Sequence, residues 1–223
     1  NTGKLDFENE STDAYSFSYY SVDNVNNYSD QKDLSFVYDK TAPKTTLAKT
    51  KEGTYVFGPK TLVQFDVVEE HSGLKATYFK LGDNKYAKVN KGQIMPTSLK
   101  DGEYEMSFYS VDNVVNGEDL NVRDVYLDKI APETSLEATS SFAKGTRLYV
   151  SPKSKISLKA TDNKAGVREI KYTTRGVSNQ IFDESFSLEN YHGLTSVNFR
   201  ATDLVDNVEE NNYQEIFVDS LRP

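Results

Sequence analysis

Apolar and polar residues alternate one by one through short stretches, and each stretch is bounded by turn-forming residues. Phe17, Tyr19 and Ser21 make one such row, Met106, Phe108 and Ser110 a second, and Val197, Phe199 and Ala201 a third. A strand with one buried face needs this period of two. The pattern predicts strands near 45–49, 54–57, 62–68, 75–81, 86–89, 93–99, 104–111 and 122–128. It predicts a second series near 134–138, 147–150, 155–160, 168–174, 181–188, 195–201 and 213–219. Val63, Phe65 and Val67 match Ile156, Leu158 and Ala160 as an inward row. Gly58-Pro59, Gly82-Asp83-Asn84, Asp101-Gly102 and Ala165-Gly166 supply turns between strands. No stretch keeps a helical period long enough for a core helix.

The rows belong to a repeat. Tyr20-Ser21-Val22-Asp23 returns 89 residues later as Tyr109-Ser110-Val111-Asp112, and Phe108 returns 91 residues later as Phe199. Asp39-Lys40-Thr41-Ala42-Pro43 returns as Asp128-Lys129-Ile130-Ala131-Pro132, and Asp219 to Pro223 reads as a third copy. A period of roughly 90 residues with seven or eight short strands is the count of an immunoglobulin-type sandwich. The expected fold is therefore all-β, with tandem immunoglobulin-like sandwiches joined head to tail. Residues 1–39 read as the C-terminal half of a repeat, completed by further chain or by a partner, and 40–128 and 129–223 as full repeats. Pro43 and Pro132 fix φ and bias the preceding residue to an extended form, so these joints should be short and semi-rigid.

Composition narrows the function. The chain has 223 residues and a net charge of −8, with 15 Tyr, 12 Phe, no Trp and no Cys. The aromatic content argues against a disordered chain, and the lack of Trp removes the buried indole of antibody domains. The acidity lies in residues 1–39, with two Lys against eight Asp and Glu; residues 40–128 and 129–223 each carry 12 basic and 13 acidic side chains. No basic stripe exists for nucleic acid, no apolar run approaches the ~20 residues that cross a bilayer, and neither a disulfide nor a thiolate site can form. The chain reads as an excerpt of an exported bacterial protein whose signal lies elsewhere.

Four features carry candidate chemistry. Asp162 and Asn163 share one loop and Asp203, Asp206 and Asn207 another, and both loops emerge at one end of the expected sandwich. Their oxygens suit Ca²⁺, which takes six to eight; the alternative is that they cap turns. Glu69, Glu70, Asp112 and Asn113 are the counterparts in the preceding repeat. No other cofactor is expected. Tyr20 and Tyr109 face outward as a flat platform for a glycan or protein partner, or as cross-strand pairs. His71 and His192 fall at non-equivalent positions, against a shared zinc or catalytic pair. Acid pairs such as Glu209-Glu210 lack the cleft that glycoside hydrolysis needs, so no enzyme is expected.

Tyr109-Ser110-Val111-Asp112-Asn113, followed by Asn116-Gly117-Glu118 and the Asp-Lys-x-Ala-Pro joint, resembles a class of bacterial Ig-like surface repeats. That class includes the repeat named after a spirochaete outer-membrane protein that binds host fibronectin; the Leu99–Tyr104 stretch is also similar to fibronectin type III domains. Here Asn26 and Val115 replace the class's turn glycine, and Arg200-Ala201-Thr202 replaces Tyr-Ser-Val. The resemblance implies a cell-surface or secreted stalk that spaces a head domain and contacts other modules of its chain, a host or matrix protein, or a glycan. Accessory domains of a secreted hydrolase, with carbohydrate affinity, and a fibre subunit completed by strand exchange are the alternatives.

Overall fold

The computed structural model describes residues 10–50, 54–89 and 99–221, which form strands and no helix. Strands β1 (Asp13–Tyr19) and β2 (Lys32–Tyr38) pair antiparallel as a separate ribbon. Next come β3 (Lys44–Leu47), β4 (Val56–Phe57), β5 (Phe65–Val68), β6 (Leu74–Leu81), β7 (Ala87–Lys88), β8 (Gly102–Asp112) and β9 (Asn121–Leu127). The chain continues through β10 (Glu133–Ala138), β11 (Ser141–Lys144), β12 (Arg147–Val150), β13 (Ile156–Thr161), β14 (Val167–Thr174), β15 (Val177–Ile181), β16 (Gly193–Asp203) and β17 (Asn212–Val218).

Each series builds two sheets to one plan. The first has a β3-β5 pair and a sheet ordered β4-β9-β8-β6-β7; the second has a β10-β13 pair and a sheet ordered β11-β12-β17-β16-β14-β15. In both, a short early strand runs parallel to the last one, β4 beside β9 and β12 beside β17. Every other strand pair with a described register is antiparallel, as in a β-sandwich.

The alternating rows make the core between the sheets. Ile156 and Leu158 of β13 meet Tyr172, Val197, Phe199, Ile216 and Val218 of the large sheet, all buried in one cluster. Each such aliphatic side chain contributes roughly 1.5–3 kcal/mol by leaving water. In the first series Phe65 of β5 lies 5.9 Å from Phe79 and 5.1 Å from Phe108 between ring centres.

A glutamate stitches each pair of sheets together. Glu209 accepts from the Thr134 amide (2.8 Å) and hydroxyl (2.6 Å) on β10, from the Ala201 amide (2.8 Å) on β16, and from Asn212 Nδ2 (2.6 Å). Glu118 repeats the arrangement with the Thr45 and Ser110 amides and Asn121.

The chain divides into two compact units, residues 1–48, 64–93 and 105–124, and residues 49–63, 94–104 and 125–223. Within the second unit the turn after β4 lies against the turn after β16. A Cβ on Gly58 would come 2.2 Å from the Val205 carbonyl oxygen, so only glycine allows this approach.

Three sequence expectations need correction. The strand expected at 181–188 is displaced to β15, and Phe182 and Phe186 instead follow it and cover Tyr172. Strand β11 was not expected. Phe17 is only half-buried, and Tyr19 and Ser21 are exposed, so the first row has no fully buried face. The strand expected at 93–99 falls mainly outside the described residues, as does Pro223.

Candidate cation sites

Asp203 ends β16 and directs its carboxylate back into the following turn. Its Oδ1 accepts the Val205 and Asn207 amides at 2.9 and 2.7 Å, and its Oδ2 accepts Asn207 Nδ2 at 2.7 Å. Asp206 closes this turn at a φ of 71°, which aspartate tolerates better than most residues. Asp162 follows β13 in the same way, with Oδ1 accepting the Lys164 and Gly166 amides at 3.1 and 2.8 Å.

The third member comes from the joint. Asp128 directly follows β9; its Oδ1 accepts the Ile130 amide at 3.1 Å and its Oδ2 the Ala165 amide at 2.8 Å. Its carbonyl accepts Asn207 Nδ2 at 3.0 Å. The end of β9 is thus fastened to two turns of the following series. Pro132 beyond it is buried.

One oxygen from each of Asp128, Asp162 and Asp203 lies within 4.8 Å of the others. Two oxygens on opposite sides of one Ca²⁺, at about 2.4 Å each, are separated by about that distance. Asp128 and Asp203 are fully buried. Burial pushes both carboxyls above their ordinary range, against the amide hydrogen bonds that favour the charged form, and the Asp162 charge adds to the rise. Asp162 Oδ2 is itself buried and accepts no hydrogen bond. A buried carboxylate oxygen without a donor is costly unless something positive meets it.

The first joint repeats the group with Asp39, Glu69 and Asp112, again within 4.8 Å. Asp39 accepts the Thr41 and Ser72 amides, and its carbonyl accepts Asn116 Nδ2. Glu69 accepts the His71 and Gly73 amides, and Asp112 those of Val114 and Asn116. Here burial works to raise the Asp39 carboxyl, but hydrogen bonds from Ser72 and Thr41 overcome it and hold it below the usual range. Pro43 is buried like its counterpart.

Of the oxygen set expected from sequence, the structure brings together Asp162 and Asp203. Asn163 is exposed in its turn, Asp206 is exposed and ion-paired with Arg168, and Asn207 serves as a donor that ties Asp203 to Asp128. The sequence pattern does not single out Asp39 and Asp128 as site residues. The available signal was an aspartate at the same place in both joints, where a plain linker needs none. Glu209, half of the Glu209-Glu210 acid pair, is occupied in joining the sheets.

The aromatic candidates part company. Tyr20 is 57% exposed with its ring 5.7 Å from Tyr28, while Tyr109 is half-buried between Tyr78, stacked at 5.3 Å, and Tyr86, edge-on at 5.4 Å. His71 and His192 are both exposed. His192 accepts from the Ser220 amide and sits edge-on to Phe217.

No family model and no curated protein sequence matches the chain. Among solved structures it is similar to the fibronectin(III)-like modules of Clostridium thermocellum CbhA, at 14% identity and a TM-score of 0.43 over 79% of this chain and 95% of that one. It is similar to the FN1–FN3 domains of chicken CNTN1, at 13% identity and a TM-score of 0.40 over 92% and 75%. It is also similar to the D00–D0 domain of intimin, at 10% identity and a TM-score of 0.30 over 79% and 100%.

Proposed function

We propose that the chain is a non-catalytic segment of an extracellular or cell-surface bacterial protein, a stalk that spaces an adhesive or catalytic head from the envelope. In this reading residues 40–128 and 129–223 are successive sandwich repeats behind the half repeat 1–39. Their joints are braced by a divalent cation of calcium type.

The observation that carries this reading is Asp162 Oδ2, buried and without a donor beside two wholly buried carboxylates. Asp128 supplies the mechanical link: it ends one series of strands and is hydrogen-bonded through side chain and carbonyl to the next. A cation there neutralises the group and ties the end of β9 to the turns after β13 and β16. Three carboxylates leave at least three positions for carbonyls and water, as Ca²⁺ prefers.

Amide hydrogen exchange tests it. Millimolar Ca²⁺ slows exchange of the Ala165, Val205 and Asn207 amides, and EGTA restores it. The Asp162→Asn protein shows no such response in this joint. Unchanged exchange at these amides on adding Ca²⁺ to the wild-type chain refutes the reading.

A further inference from the structure

Strand positions that hold tyrosines in the first series hold cations in the second. Tyr78 pairs with Tyr109 across β6 and β8, and their rings stack. The corresponding pair across β14 and β16 is Lys171 and Arg200. Two like charges directly opposite each other repel, so this exchange weakens the sheet on its own account. Glu169 relieves one of them through an ion pair to Lys171 at 2.9 Å. Arg200 has no hydrogen-bonding or ionic partner among the described residues.

The two cations line a groove of about 250 Å³ on the outer face of the large sheet, together with Thr173, Asn179, Asn198 and Asn211. The groove has a structural cause. Pairing between β14 and β15 slips between Tyr172 and Thr174, and Asn179 opposite takes a left-handed φ of 52° with its amide held by Thr173 Oγ1 at 2.9 Å. Bulges and left-handed residues of this kind re-aim side chains where a sheet binds something. A guanidinium matches a carboxylate or sulfate with parallel hydrogen bonds, while the three amides and the threonine hydroxyl offer donors and acceptors suited to sugar hydroxyls.

We infer that this groove binds an acidic saccharide, its carboxylate or sulfate lying between Lys171 and Arg200 and its hydroxyls on the asparagines. The site shares no residue with the joint carboxylates, so it stands or falls apart from the cation reading.

The test is NMR titration of the whole chain with a heparin-derived tetrasaccharide, tetragalacturonate, maltotetraose and inorganic sulfate. Binding of either acidic tetrasaccharide shifts the amides of Lys171, Thr173, Asn198 and Arg200, and which one binds identifies the anion. Replacing the pair by the residues of the first series, Lys171→Tyr with Arg200→Tyr, weakens binding by about tenfold or more, the scale of losing a charge-assisted contact. The single change Arg200→Gln serves if the double variant does not fold. The inference is overturned if neither acidic tetrasaccharide binds, if maltotetraose binds equally, if sulfate alone binds as tightly, or if the variants bind like the wild type.

Discussion

Removing the carboxylate of Glu209 should unfasten the two sheets of the second series. Its four hydrogen bonds reach β10 through Thr134, β16 through Ala201, and Asn212 at the start of β17. Thr134 and Ala201 are buried, so Glu209→Ala withdraws an acceptor from two amides that water reaches poorly. An unsatisfied buried donor costs about 1–3 kcal/mol. Glu209 is itself half-exposed, which lets some water enter in its place, so the expected loss is about 2–4 kcal/mol. The Thr134 hydroxyl and the Asn212 amide can turn to solvent and add little. Glu209→Gln keeps one carbonyl oxygen but turns an NH₂ toward donors, for about half the loss. Urea unfolding of the whole chain, followed at the methyl groups of buried Ile156 and Ile216, isolates the transition of this series. Glu210→Ala, exposed on the next residue, is the control and should stay within about 0.5 kcal/mol of wild type. A Glu209→Ala midpoint indistinguishable from that of Glu210→Ala would refute the reasoning.

Further expectations can be checked on the same chain. Gly58→Ala drives a methyl into the Val205 backbone and should destabilise the second unit by about 1–3 kcal/mol in thermal melts, whereas Gly117→Ala, whose nearest neighbour would be Val111 Cγ2 at 3.9 Å, should be nearly neutral. The Tyr126 hydroxyl donates to Asp101 Oδ2 at 2.8 Å, and this bond, with burial and nearby carboxylates, pushes the phenol up to about 12. In ultraviolet titration Tyr126 should ionise well above the ordinary phenols, and Asp101→Asn should bring it down. The folded state holds this proton more tightly than the unfolded chain. Its contribution is therefore complete below the unfolded value of 10.0 and is lost as pH rises toward about 12.

The large features of the fold were open to inspection in the sequence because they rest on period-two rows with a buried face. Val197, Phe199 and Ala201 keep that alternation, and β16 covers them all. Strand β11 escaped because all four of its residues are exposed at a sheet edge, leaving no alternation to read. It arises from the turns on either side, with Ser140 and Gly145 both at positive φ. The strand near 181–188 was misplaced for the opposite reason: Phe182, Phe186 and Leu188 belong to the core without being in a strand, while the true β15 is mostly polar and exposed.

The carboxylate cluster was half legible. Asp162 and Asp203 each sit in a turn whose local hydrogen bonds the sequence suggests, but Asp128 joins them only through the path of the chain across the joint. That convergence has no local signature. Arg200 is the reverse case, since its departure from the repeat was plain in sequence and its meaning emerges only beside Lys171.

Calorimetric titration of the whole chain with Ca²⁺ tests the central claim most directly. Two sites per chain are expected, one at Asp39, Glu69 and Asp112 and one at Asp128, Asp162 and Asp203. Asp162→Asn should abolish the second and leave the first. At about ten times the dissociation constant each occupied site adds about 1.4 kcal/mol of stability. An absence of binding at millimolar Ca²⁺, or an Asp162→Asn chain that titrates like the wild type, would contradict the account.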